Sequence, residues 1–126
     1  MLDNKYYAGF EGESEVQIYY EAQGESQGLS IWDGYFCTLL HACDFSEMRP
    51  GGLLQAYWNG SDWEDEDQWI LQDPQLAARE LRTFSPDRVD EGMKDITPEL
   101  LEIRGKLLKL IDQAQRLGAK IYMTED

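Results

Sequence analysis

Positive charge is what this chain has least of. Its 126 residues include 25 Asp or Glu but only 11 Lys or Arg, for a net charge of −14. The shortage is uneven. Residues 1–72 hold 14 acids against Lys5 and Arg49, a net of −12, whereas residues 73–126 hold 11 acids against nine bases, a net of −2. Between Lys5 and Arg49 lie eight acids and no base. Such a chain lacks the cations that neutralise phosphates, which disfavours direct nucleic-acid binding. Solubility alone needs net charge but no particular placement of it.

Histidine and cysteine are equally scarce. His41 is the single histidine, and Cys37 and Cys43 are the two cysteines. A structural zinc site normally needs four such ligands, so no metal or other cofactor is expected. If residues 35–43 are helical, the two cysteine Cα atoms lie about 9 Å apart along the axis, too far for a disulfide. Both are expected as buried free thiols whose apolar setting makes them inert, and His41 as a partly buried histidine with its hydrogen bonds satisfied. No apolar run reaches a membrane span, the longest being YFCTLLHAC, and MLDNKYYAGF has no signal-like apolar stretch. A cytoplasmic location is the expectation. Phosphate-binding glycine loops are missing, and residues 62–67 lack the residue order of a calcium loop. Carboxylate pairs able to serve a small hydrolase are unavoidable among 25 acids and point to nothing in particular. The chain is not expected to be an enzyme.

What the chain does contain is a core. Hydrophobic residues make up 42%, including four Trp, seven Tyr and four Phe, which separates it from acidic disordered chains. One domain over residues 1–126 is expected. EVQIYYEA (15–22) alternates as a half-buried strand. GESQG (24–28) reads as a turn. LSIWDGYFCTLLHACDF is ambiguous. Asp33-Gly34 could turn a hairpin, but Phe36, Leu39, Leu40 and Cys43 fall on one helix face that Asp33 could cap. LLQAYW (53–58) reads as a short helix. Asp73-Pro74 opens another, with Leu76, Ala77, Leu81 and Phe84 on one side, and Ser85-Pro86 stops it. Residues 85–96 read as a charged connector. Thr97 is the expected cap of the last helix, with Ile96 stapled onto Leu101. Its apolar face is Leu100, Ile103, Leu107, Leu110, Ala114 and Leu117, and Glu102–Lys106 and Asp112–Arg116 are its i,i+4 pairs. Gly118 ends it, and AKIYM (119–123) could pair with EVQIYYEA as a strand. The fold class is therefore α+β: a mainly helical single domain with a small antiparallel sheet.

The densest acid lies in NGSDWEDEDQW (59–69), where five carboxylates surround Trp63 and Trp69, with Trp58 just upstream. Clustered carboxylates steer cationic partners, and neighbouring aromatics anchor interfaces. Spacings of five and six residues do not put all three tryptophans on one helix face, and Trp69, before Ile70 and Leu71, is expected in the core. A small, strongly acidic chain with an acidic, aromatic-rich loop feeding a DP-capped helix (GGLLQAYWNGSDWEDEDQWILQDPQLAARELRTF, 51–84) resembles bacterial toxin-immunity proteins of the contact-dependent growth inhibition and polymorphic-toxin type. The resemblance implies a protein that binds and neutralises a cognate toxin domain, often a nuclease with a basic cleft. The expected contacts are Trp58, Asp62, Trp63, Glu64, Asp65, Glu66 and Asp67, with Glu11, Glu13 and Glu15 as a second patch. The alternative is a phage-type DNA mimic that inhibits a host nuclease or restriction system. It would need acids at phosphate-like spacing along a face that the nine later bases cut short.

Overall fold

The structure, a computed structural model, describes residues 2–58 and 69–125. The fold is α+β. Strands β1 (Leu2–Tyr6), β2 (Glu15–Ala22) and β3 (Glu25–Trp32) lead into helix α1 (Asp33–His41). Helix α2 (Leu53–Trp58), strand β4 (Trp69–Ile70), helices α3 (Pro74–Arg82) and α4 (Thr97–Leu117), and strand β5 (Ile121–Glu125) follow. The strand order is β1-β3-β2-β5-β4. The sheet has five strands and is mixed: β1 runs parallel to β3, and the other pairs are antiparallel. Among the described residues no helix is long and apolar enough to cross a membrane.

The pleat of β2 organises the molecule. Val16, Ile18 and Tyr20 face the core. They stand opposite Ile31, Leu29 and Gln27 of β3, and Ile18 and Tyr20 also stand opposite Met123 and Ile121 of β5. The buried faces of α1, α3 and α4 join the same core through Phe36, Leu39, Leu40, Leu81, Leu100, Ile103 and Leu107. Burying a large aliphatic or aromatic side chain is worth about 1.5–3 kcal/mol, so this one cluster dominates the stability. The alternating partners on β2, Gln17 and Tyr19, lie on the opposite face with Ser30, Gly28, Thr124 and Tyr122.

Several expectations need correcting. The 24–28 segment is mostly strand. The turn is the two residues Gln23 and Gly24, both at positive φ (53° and 79°), as a type I′ hairpin demands. Gly28 belongs to β3 because it faces Tyr19: a Cβ there would lie 2.1 Å from the Ile18 carbonyl oxygen. β1 carries too few apolar residues to signal a strand. Its Asp3 and Lys5 instead tie to α4, with Lys106 Nζ 2.7 Å from Asp3 Oδ2 and Lys5 Nζ 3.1 Å from Glu102 Oε1. Those contacts replace the Glu102–Lys106 pair, whereas Asp112–Arg116 forms at 3.0 Å. Asp33 does not cap α1. Strand β3 runs straight into the helix, Trp32 holds the N-cap position without a side-chain bond, and Asp33 accepts from the Cys37 thiol at 3.3 Å. Thr97 is the first residue of α4 rather than its cap, because a 3-10 segment (Glu91–Ile96) feeds directly into the helix. Leu101 and Leu117 are exposed, so neither the staple nor the last turn of the apolar face is realised. Asp73 caps α3 by accepting from Leu76 N at 3.0 Å, and Gly118 (φ 66°) ends α4.

Candidate partner-binding surface

The three glutamates of the second patch come together at one end of the β2–β3 hairpin. Glu11 folds onto its own turn, its carboxylate accepting the Gly9 N–H at 2.9 and 3.1 Å, which lowers its pKa. Glu13 is exposed and accepts from the Trp32 indole N–H at 3.2 Å. Glu15 stands opposite Trp32 across the strand pair and accepts from the Ser30 hydroxyl and from Gln17 Nε2. Among the described residues, none of the three is paired with a lysine or arginine.

Aromatic rings lie against these acids. Phe10 stacks on Trp32 with centroids 4.1 Å apart and planes 5° from parallel, and Tyr35 meets both rings edge-on at 5.4 and 5.1 Å. Gly34 makes room for this group, since a Cβ there would come within 2.4 Å of the indole. Neither Phe10, Trp32 nor Tyr35 was legible as a site residue. Phe10 and Trp32 are far apart in sequence, and only the parallel docking of β1 beside β3 brings the loop after β1 over Trp32. Gly34 beside an aromatic was the one local hint.

A second aromatic group surrounds α2. Trp58 is 63% exposed and lies 5.4 Å from Phe45, while the Tyr57 hydroxyl meets His41 Nε2 at 2.5 Å. Trp58 thus presents its ring to solvent at the point where the acidic segment begins. Asp62, Trp63, Glu64, Asp65, Glu66 and Asp67 fall outside the described residues. Trp69 is half-buried against the core, beside the buried Leu71. His41 is exposed rather than partly buried, and its ring bonds the hydroxyl of Tyr57, which packs partly buried against the core.

The cysteine chemistry is unpromising for a nucleophile. Both thiols are free, Cys43 buried and Cys37 partly so. Burial pushes the Cys37 thiol up to about 12, helped by the Asp33 carboxylate beside it, and pushes Cys43 up to about 11. The imidazole bonds Tyr57, so His41 is not set up as a base toward Cys37. Among the described residues, no group of three or more His, Cys, Asp or Glu is placed to hold a metal ion.

The bases lie elsewhere. Strands β2, β3, β4 and β5 carry Glu15, Glu21, Glu25 and Glu125 and no Lys or Arg. The lysines and arginines lie on β1, α3, α4 and the connecting segments, and several are already engaged. Lys5, Lys106 and Arg116 bind carboxylates, and Arg88, Lys94 and Arg104 donate to the carbonyls of Thr83, Pro86 and Leu81. Comparison of the chain with protein-family models, curated proteins and solved structures finds no match.

Proposed function

We propose that this protein is an immunity protein: it binds a cognate basic toxin domain, a nuclease by the chemistry of the surface, and neutralises it. The observation that carries this reading is the separation of charge along the fold. The loop before β2 and the start of that strand present Glu11, Glu13 and Glu15 beside the Phe10–Trp32–Tyr35 group, with no base between Lys5 and Arg49, while most cations lie on α3, α4 and the segments that connect the elements. A cleft built to bind phosphate would be drawn to such a surface and held by charge pairs and aromatic burial. Trp58, exposed at the entrance to the acidic segment, offers a further anchor. Binding without catalysis fits two thiols whose pKa values lie far above neutrality. The lysines and arginines of α3 and α4 make a long phosphate-like face harder to assemble, which favours this reading over DNA mimicry.

The test is a titration of the purified chain against the toxin domain encoded beside it, at rising salt. Electrostatic docking predicts an association rate that falls steeply between low and physiological ionic strength, and loss of toxin activity at one-to-one stoichiometry. Association insensitive to salt, or toxin activity unchanged in the complex, would refute it.

A further inference from the structure

The hydrophobic core takes one face of the sheet. It contains Val16, Ile18 and Tyr20 of β2 but neither of the alternate residues Gln17 and Tyr19. On the second face one row crosses all five strands: Leu2, Gly28, Tyr19, Tyr122 and Ile70 are register partners in turn from β1 to β4. Ile70 is 41% exposed, Leu2, Tyr19 and Tyr122 are half-buried, and the two tyrosine rings lie 5.7 Å apart. A sheet face turned away from the core ordinarily alternates to polar residues. An apolar patch with a polar rim marks an interaction surface instead.

The rim indicates the kind of partner. Alternation along β2 puts Glu15 and Glu21 on the same face as Tyr19, at the two ends of the strand and about 20 Å apart. Neither meets a lysine or arginine among the described residues, and β2, β3, β4 and β5 carry no base. Gln17, Ser30 and Thr124, polar and uncharged, fill the row between Tyr19 and Glu15. Glu15 stands opposite Trp32, so the face runs without a break into the Phe10–Trp32 stack. An apolar centre inside a charged rim is the anatomy of a protein interface, and a rim of one sign selects a partner of the other.

We propose that the basic toxin domain seats on this sheet face. An apolar patch of the toxin covers Tyr19, Tyr122 and Ile70, and its lysines or arginines meet Glu15 and Glu21. The inference rests on the immunity reading and gives it a footprint: Glu11 and Glu13 form one border of the interface, and the row across the strands forms its centre.

The test uses the full chain and the toxin domain encoded beside it, with association and dissociation rates measured for four forms: wild type, Ile70→Ser, Glu21→Lys and Gln113→Lys. The last makes a charge change on the exposed side of α4, away from the sheet. Ile70→Ser should speed dissociation on the order of tenfold with little change in association, because it removes apolar contact. Glu21→Lys, at an exposed position, should slow association severalfold at low salt, and Gln113→Lys should leave both rates within about twofold of wild type. Melting temperatures of the variants confirm that each is folded. A wild-type chain that neither binds nor neutralises the toxin would overturn the immunity reading and this footprint together. Wild-type binding and neutralisation with unchanged rates for both Ile70→Ser and Glu21→Lys would overturn the footprint alone. Equal slowing by Glu21→Lys and Gln113→Lys would likewise overturn it, since net charge and not this face would then set the rate. A dimer of the free chain that Ile70→Ser dissociates in sedimentation would assign the face to a second copy and overturn the seating of the toxin there.

Discussion

Single residues decide more of this fold than its composition suggests, and Glu80 is the clearest case. It projects from α3 into the core, 1% exposed, and its Oε1 accepts the N–H groups of Leu53 at 2.7 Å and Leu54 at 3.3 Å. Gly52 is needed beside it, because a Cβ there would lie 2.5 Å from that oxygen. Burial raises the Glu80 pKa above the ordinary 4.5, opposed by those two N–H groups, with Asp73 raising it and Arg49 lowering it further. A carboxyl that holds its proton more tightly when folded stabilises the fold below about 4.5, and that contribution is lost as pH rises through its raised value. Glu80→Gln keeps an acceptor for both N–H groups and removes the buried charge. Urea unfolding should therefore find it within about 1 kcal/mol of wild type at pH 7, with a flatter pH dependence. Glu80→Ala leaves two buried donors unmatched and should cost about 2–4 kcal/mol. The two cysteines give a second residue-scale test. With their thiols near 12 and 11, alkylation by iodoacetamide at pH 8 should be far slower in the folded chain than in urea.

At the scale of elements, the β2–β3 hairpin and the helix ends carry testable energies. Gln23 occupies the first centre of the turn at φ 53°, where asparagine is better tolerated. Gln23→Asn should raise stability by up to about 1 kcal/mol, and Gly28→Ala should lower it by at least about 2 kcal/mol through its clash with the facing strand. Thermal melts of the two variants would check both signs. Asp73→Ala removes the α3 cap and should cost about 1 kcal/mol. Elements with strong local signals were readable without coordinates: the alternation of 15–22, the Asp73-Pro74 start, the period of α4, and Gly118. Elements whose signal is a partner elsewhere were not. β1 is a strand because β3 offers its edge and α4 offers Lys106 and Glu102. The 25–32 strand was obscured by glycine and serine that only make sense opposite Tyr19 and Gln17.

For the whole molecule, a net charge of −14 opposes compaction. Moderate NaCl should raise the melting temperature by screening self-repulsion, while weakening capture of a basic partner. Charge reversal at Glu11, Glu13 and Glu15 together should slow association with that partner at low salt, and should lower the melting temperature modestly because Glu13 and Glu15 accept from the Trp32 indole and the Ser30 hydroxyl. Stopped-flow association and thermal melts on the same triple variant separate the two effects. An association rate equal to that of the wild type would move the interface away from the hairpin end.

Composition and order along the chain were enough to determine the charge asymmetry, the α+β class, the strong helix boundaries and the pairing of the last strand with 15–22. Each depends on local propensity or on a simple count. Tertiary structure alone decided that β1 joins the sheet in parallel, that Phe10 crosses the chain to stack on Trp32, and that Glu80 supports α2 from below. These contacts join residues far apart in sequence, and their energy exists only once the core has brought the segments together, so no local pattern records them.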